Sequence, residues 1–429
     1  MANDINSLLD FIEDSPSPFH AVLTSTNKLT KAGFAELNLG DAWELQRGGK
    51  YFVNVYGSTL IAFTIGEAGP LRVAAAHTDF PCFRVKPLGG MVKDGCGVVN
   101  VEPYGGIIMR SWLDRPLGLA GKVVTCGSDV FHPTTRLVRS LIPLMTIPSL
   151  AIHMDRDVNS KGAVNAQKDM LPIAALMDGD ADDEWWQNEV ATLAGVSPND
   201  LLSYELSTYP WERGTTLGFG DNLVSSPRLD NLTSVFACLS GLIDATKDVP
   251  DGVRLVALFD NEEVGSHTKQ GAGSAALMEI LRRIYACAAT GEGDGEEKLM
   301  AALADGFLLS IDVAHAVHPN HADKSDPVVR PVLGGGVVIK QAVAQTYAGD
   351  AEAIAIVRAL CEERNIDYQH FVNRSDSRGG STLGSIASAL VPVRTMDVGV
   401  PILAMHSARE TMATADETSL IALARAVME

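Results

Sequence analysis

The sequence predicts an α/β protein: a three-layer catalytic domain around a central mixed sheet, with a mostly β domain inserted into it. Three observations predict this. Short apolar runs alternate with longer segments that are apolar at helical spacing. The alternation stops at about residue 85 and resumes near Asn222. And 429 residues exceed one ordinary core, which implies two domains or one large domain carrying an insertion.

Taken in order, "LRVAAA" (71–76) is a buried strand, bounded by Pro70 on one side and by polar residues on the other. The stretch 85–221 is rich in Gly, Pro and short β-type runs such as "VVNVEPYGGIIM" and "GKVVTC", with an acidic, looped segment "DGDADDEWW" at 178–186. A helix is predicted over 229–246, then the strand 253–259 "VRLVALF", a helix over 272–288, and a solvated loop "ATGEGDGEEK" at 289–298. Strands follow at 307–313, 336–340, 368–372 and 393–398, with helices over 350–365 and 415–428. The layered domain is therefore discontinuous, 1–84 and 222–429, around the β-rich insertion 85–221.

Composition narrows the function. With 46% hydrophobic residues, 20% charged residues and 39 glycines, the composition is that of a globular α/β protein and argues against disorder. A formal charge of −19 argues against nucleic acid and against an anionic membrane, both of which need a basic surface. Six scattered cysteines without a C-x-x-C pair suit free thiols in a reducing compartment. The N-terminal stretch is acidic and lacks a basic segment ahead of an apolar one, and no apolar run is long enough for a membrane span. A cytoplasmic protein is expected.

The chemistry-bearing residues sit where buried runs end. After 255–259 "LVALF" come Asp260, Asn261, Glu262 and Glu263, an acidic cluster tolerable in a solvated turn or beside a strong positive charge. His77 and Asp79, in "AAHTDF", share one face of an extended chain, and a carboxylate behind an imidazole fixes the ring of a metal-bound histidine. In isolation such a strand-end histidine is more often a structural residue. Asp230 and Asn231 open an apolar helix, where the plain reading is an N-cap. Asp312 ends the 307–313 strand, and His406 follows "ILAM". In an open α/β sheet that edge is where ligands bind. His77, Asp230, Glu263, Asp312 and His406 form a mixed imidazole and carboxylate set, suited to two divalent ions, Zn2+ first and Co2+ or Mn2+ as alternatives. Glu262, facing away from Glu263 on an extended chain, is left as a base. His315, His318 and His321 are spaced wrongly for convergence, Pro319 disfavours a continuous helix there, and His20 reads as a helix-start histidine.

These motifs, with "SPSPFH", "AAHTDFPCFRVKP", "IPSLAIHMDR", "SSPRLDN", "DNEEVGS", "SIDVAHAVHPN", "DSRGGSTLG" and "AMHSARE", resemble the aspartyl aminopeptidases, dinuclear metallo-aminopeptidases that remove acidic residues from peptide N-termini. The resemblance covers nearly the whole chain. It implies two divalent metal ions per chain, one held by His77, Asp230 and Asp312 and the other by Asp230, Glu263 and His406, with Asp230 bridging. It further implies Glu262 as general base, Asp79 as orienter of His77, and His153 of the insertion reaching a partner subunit's active site. Lys340 and Tyr347 would line the substrate pocket. The partners implied are peptides with an acidic N-terminal residue and further copies of the chain, as dimers built into a dodecamer. Rival readings are a carboxypeptidase or deacylase on the same scaffold, with Arg378 or Arg409 as a carboxylate clamp, a catalytically dead assembly protein, and a two-metal phosphatase.

Overall fold

Strand faces are set by a two-residue alternation along the buried runs, and helix faces by the 3.6-residue period. In the strand Glu67–His77, Leu71, Val73 and Ala75 face one core, as do Val253, Leu255, Ala257 and Phe259 of Asp251–Phe259. Against them lie Leu277, Ile280, Leu281 and Ile284 of the helix Ala276–Cys287 and Leu299 and Leu303 of Gly295–Ala304. The opposite face carries the helices Leu229–Ala245 and Thr414–Met428. Helix, sheet and helix thus form three layers, with the central strands buried on both sides.

The computed structural model describes residues 5–160, 163–177, 184–245, 251–287, 294–377 and 379–429. The chain divides into two units, Met1–Asp79 with Gly214–Met405 and Glu410–Glu429, and Phe80–Arg213 with His406–Arg409.

The first unit holds a mixed sheet of nine strands: β1 (Ala35–Glu36), β2 (Lys50–Val55), β3 (Thr59–Ile65), β4 (Glu67–His77), β5 (Asp251–Phe259), β6 (Phe307–Ile311), β7 (Val337–Gln341), β8 (Tyr368–Val372) and β9 (Arg394–Gly399). Their spatial order is β1-β2-β3-β5-β4-β6-β9-β7-β8. The four central strands β5, β4, β6 and β9 are mutually parallel, while β3 and β7 run against their inner neighbours. Register pairs Phe259 with His77, so β4 and β5 end side by side. A five-stranded sheet in the same unit includes Leu223–Ser226, Pro401–Leu403 and Glu410–Ala413.

The second unit is a six-stranded antiparallel sheet running in the order His132–Arg139, Leu117–Asp129, Leu201–Pro210, Cys82–Lys93, Cys96–Tyr104 and Ile173–Leu176. Its core gathers Phe83, Val99, Trp112, Leu119, Val123 and Trp186.

Three expectations need correction. The 289–298 segment is not a loop throughout: Gly295–Ala304 is a helix, with the Asp294 carboxylate accepting from the Glu296 N–H as its N-cap. The tryptophans expected at the end of the acidic loop begin the helix Trp185–Ala194, and residues 178–183 lie outside the described residues. The helix expected from 272 starts at Ala276, because Gly273 N–H bonds the Ser266 carbonyl at 3.0 Å and closes a turn first. Among the described residues no helix is long and apolar enough to cross a membrane, and no disulfide links the cysteines.

Candidate active site

His77 is the last residue of β4 and 1% exposed; Asp312 follows β6 directly; Glu262 and Glu263 lie three and four residues beyond β5. All stand at the carboxyl edge of the parallel strands, where loops rather than ladders determine side-chain direction. Asp230 reaches the same place from the helix Leu229–Ala245. It is not an ordinary N-cap: Asp230 (φ −76°, ψ 106°) and Asn231 (φ −124°, ψ 28°) both depart from helical geometry. The break turns the Asp230 carboxylate towards His77, with Nε2 to Oδ1 at 3.4 Å.

The acidic cluster divides by role. Asp260 is structural: it is 2% exposed, its Oδ1 accepts from the Asn261 N–H at 2.7 Å, and its own N–H donates to Thr59 Oγ1 at 3.0 Å. Asn261 takes a left-handed conformation, φ 63°, and its carbonyl accepts from the Ser266 N–H at 2.8 Å. The chain therefore leaves the extended state before Glu262, and Glu262–Val264 form a 3-10 turn. Sequence reasoning set Glu262 and Glu263 on opposite faces of an extended chain; in the turn both bring a carboxylate oxygen within 4.8 Å of a His77 ring nitrogen and of each other.

Asp79, fully buried, ties the turn to the strand. Its Oδ1 accepts from Glu262 N–H and its Oδ2 from Glu263 N–H, each at 3.1 Å. His77 Nδ1 lies 3.3 Å from Asp79 Oδ1 and 3.0 Å from the Asp79 carbonyl oxygen. The backbone of Asp79 thus orients the imidazole as much as its carboxylate does.

Whether these groups fit a metal ion is decided by spacing and by what buried atoms lack. His77 Nε2 is 3.4 Å from Asp230 Oδ1 and 3.6 Å from Asp312 Oδ1, and the three atoms lie within 4.8 Å of one another. Bonds of about 2.0–2.2 Å in a tetrahedral zinc site place ligand atoms about 3.3–3.5 Å apart. Asp312 Oδ1 is buried and accepts no hydrogen bond among the described residues, a costly state for a carboxylate that is not a ligand. The set fits a divalent cation.

The protein charges here compete for one positive partner. Burial opposes charge on His77, but the carboxylates of Asp230, Asp312 and Asp79 overcome it and hold the imidazole pKa well above its ordinary value. Burial pushes the Glu262 carboxyl up to about 8; the His77 charge works against this, and Asp312, Asp79 and Asp230 reinforce it.

Lys340, on β7 and 2% exposed, places Nζ 3.4 Å from Asp312 Oδ2 and 3.0 Å from the Val313 carbonyl. Burial would lower its pKa, and Asp312 and Asp397 raise it above the usual lysine value. Tyr347, 5% exposed, packs with Ala314, Val338 and Phe371 and lies under Lys340, with Nζ 5.2 Å from the ring centroid. A cavity of about 870 Å³ is lined by Lys340, Gln341, Thr346, Asp350, Asn373 and Arg374 among others.

The remaining residues are placed one by one. His406 belongs to the His406–Arg409 segment of the second unit, with φ 66° and Nδ1 3.0 Å from the Gly106 carbonyl. A backbone acceptor on one ring nitrogen presets the tautomer that offers the other. His153 is exposed, in a turn of the second unit, beside Ile152 and Met154, which are 49% and 75% exposed. Arg409 is engaged within its unit by the carbonyls of Glu212 and Arg213, at 3.0 and 3.2 Å, and Arg378 lies outside the described residues. Among the described residues no group of three ligand atoms includes His315, His318 or His321. His20 stands in the first turn of its helix as expected, its N–H donating to Oγ of the N-cap Ser17 at 3.4 Å and its Nδ1 2.7 Å from the same oxygen.

Two residues make links that sequence reasoning did not assign. Glu410, 2% exposed, accepts the Asp230 N–H on Oε2 at 2.9 Å. Asn231, fully buried, donates from Nδ2 to the Ile311 carbonyl at 3.0 Å, linking the Asp230 break to the residue before Asp312. A buried carboxylate opening a short β run, "ETMA", was the available signal for the first.

Residues 11–427 match the family described as Aminopeptidase I zinc metalloprotease (M18). A protein of Clostridium acetobutylicum named "Probable M18 family aminopeptidase 2" is 42% identical, over 95% of this chain and 94% of its own length. "Aspartyl aminopeptidase 4" of Saccharomyces cerevisiae is 38% identical, over 95% of this chain and 91% of its own. Among solved structures, the "Cryo-EM structure of the Ape4 and Nbr1 complex" contains a chain with a TM-score of 0.92 and 31% identity, covering 98% of this chain and 84% of that one. The "Structure of S. cerevesiae mApe1 dodecamer" gives a TM-score of 0.84 and 27% identity, covering 99% and 96%. The zinc-compatible spacing of His77, Asp230 and Asp312 and a family match over nearly the full length lead to one conclusion: the chain belongs to the M18 family of zinc metalloproteases and is a metallo-aminopeptidase.

Proposed function

We propose that the chain removes N-terminal Asp or Glu from peptides, using two divalent ions, zinc first. His77, Asp230 and Asp312 hold one ion, and Asp230, Glu263 and His406 the other. When bound, such ions supply Lewis acids that activate water and polarise the scissile carbonyl. Glu262 Oε2, 4.0 Å from His77 Nε2, takes the proton of the attacking water and returns it to the leaving amine. Asp79 holds Glu262 and Glu263 through their N–H groups while its carbonyl holds His77.

The observation that carries the acidic preference is Lys340, a buried cation lining the cavity next to Asp312. Two of its three N–H directions go to Asp312 and Val313, which leaves one for a substrate carboxylate. A charge-assisted bond of this kind contributes about 1.5–3 kcal/mol, and a neutral substrate side chain leaves the cation without that partner. The relative named aspartyl aminopeptidase, 38% identical, supports the same reading. Long-range repulsion from the −19 charge is screened over about 8 Å at physiological salt and does not govern choice inside the cavity.

We also infer that the insertion 85–221 mediates association of copies, with His153 reaching a partner's active site; exposed Leu150, Ile152 and Met154 beside it suit a surface that another chain covers. The solved relative titled a dodecamer supports assembly to that size. The test is a panel of aminoacyl reporters with the metal content measured. Cleavage of Asp and Glu reporters above Leu and Ala is expected, and Glu262→Gln keeps the metal while losing about 10²–10⁴-fold in turnover. Preference for Leu refutes the substrate class; unchanged turnover in Glu262→Gln refutes the base.

A further inference from the structure

Asp230 is the residue on which both proposed ion sites depend, and its backbone lies at the start of a helix, where N–H groups have no partner within the helix. The side chain that satisfies it comes from far along the sequence. Glu410 opens the strand Glu410–Ala413, pairs with Ser226 across the small sheet, and is 2% exposed. Its Oε2 lies 2.9 Å from the Asp230 nitrogen. We propose that Glu410 is a positioning residue for metal binding: it anchors the non-helical backbone of Asp230 so that the carboxylate projects towards His77. The inference rests on the reading of Asp230 as a ligand.

The geometry gives the anchor a specific job. Asp230 has a ψ of 106°, so the ladder of the helix does not hold it in place. Two side chains constrain the break instead: Glu410 on the Asp230 N–H, and Asn231 on the Ile311 carbonyl that precedes Asp312. The first fixes Asp230 to the small sheet, the second to the edge of β6. Loss of the Glu410 acceptor leaves a buried N–H unsatisfied and lets the ligand carboxylate move relative to His77 and Asp312. Residues that orient ligands in this way change metal affinity by about 10–100-fold when removed.

Two conservative variants separate the acceptor from the charge. Glu410→Gln keeps an acceptor oxygen at the same reach and loses the charge; Glu410→Asp keeps the charge and withdraws the acceptor by one methylene. The full chain, stripped of metal, is titrated with Zn2+ against a chromophoric chelator, and the thermal midpoint of the metal-free protein is recorded alongside. The expected result is a 10–100-fold weaker Zn2+ affinity in Glu410→Asp, affinity within about three-fold of wild type in Glu410→Gln, and metal-free midpoints alike. Wild-type affinity in Glu410→Asp, equal losses in both variants, or a loss matched by a fallen metal-free midpoint overturns the proposal. Asp230→Ala is the control for the reading beneath it. If it loses Zn2+ while Glu410→Asp does not, the positioning role alone is wrong; if Asp230→Ala binds Zn2+ fully, the ligand assignment falls and the positioning role with it.

Discussion

Replacing Asp79 by Asn tests the connection between the turn that carries Glu262 and Glu263 and the strand that carries His77. Asp79 is fully buried and accepts three donors: Glu262 N–H and Glu263 N–H at 3.1 Å each, and His77 Nδ1 at 3.3 Å. An asparagine has one acceptor oxygen and one NH2 group. If its oxygen takes the place of Oδ1, the NH2 faces the Glu263 N–H, donor against donor; if it takes the place of Oδ2, the clash falls on Glu262 and His77. At least one charge-assisted bond, about 1.5–3 kcal/mol, is lost in either case, and a buried N–H without an acceptor costs about 1–3 kcal/mol. His77 keeps the Asp79 carbonyl at 3.0 Å, so the disturbance falls on the turn rather than on the imidazole. At 1.4 kcal/mol per factor of ten, turnover drops by about 10–100-fold from the mispositioned Glu262, with a Zn2+ affinity loss of the size typical for outer-shell groups. Steady-state kinetics on an Asp reporter and chelator competition measure the two. Turnover and affinity both within about three-fold of wild type would refute the role given to Asp79.

Lys340→Ala should lower activity on Asp and Glu reporters far more than on Leu and Ala reporters, by the 10–100-fold that about 1.5–3 kcal/mol represents; an equal fall on all four would remove Lys340 from specificity. His153→Ala should reduce turnover with metal content unchanged, and sedimentation should find wild type associated; a fully active monomer contradicts both statements. Glu417 lies fully buried in the last helix, where burial first and Asp416 second hold its carboxyl well above the ordinary 4.5. An acid whose folded pKa is raised contributes stability below the unfolded pKa that is lost as pH rises towards the folded one. Glu417→Gln removes that loss, so the thermal midpoint of the variant minus that of wild type should grow as pH climbs above 4.5; a difference independent of pH counts against the buried acid.

Much of the fold is legible because its elements are bounded by local chemistry. The helices expected over 350–365 and 415–428 appear as Ala351–Arg364 and Thr414–Met428, the first capped by the Asp350 side chain. The strand expected at 253–259 is the inner part of Asp251–Phe259. Local chemistry also misleads where the chain turns. The reading of Glu262 against Glu263 assumed period two, and Asn261 at φ 63° ends that period one residue too soon. The links made by Glu410 and Asn231 were invisible for a different reason. Each acts on a backbone group brought near by the fold, at sequence separations of 180 and 80, and a main-chain N–H or carbonyl leaves no trace in residue identity.

Lys340 marks the point where the two kinds of information meet. In sequence Lys340 is singled out by the resemblance, which places it in the substrate pocket, and a cation taken out of water there requires a negative partner. The natural inference from sequence is that the substrate is that partner. In the structure the partner is already present: Asp312, whose Oδ2 is 3.4 Å from Nζ while its Oδ1 stands 3.6 Å from His77 Nε2. The two oxygens of one carboxylate therefore look in opposite directions, one towards the proposed ion and one towards the lysine. On the proposed reading, a substrate carboxylate at Lys340 would share its cation with Asp312, drawing positive charge away from that oxygen and leaving the carboxylate a stronger donor to the ion. Acidic side chain and ion would then be coupled through four atoms, and the proposed preference for Asp or Glu would not rest on ground-state binding alone. That coupling would follow from the placement of Lys340 beside Asp312, which no spacing rule along the chain encodes.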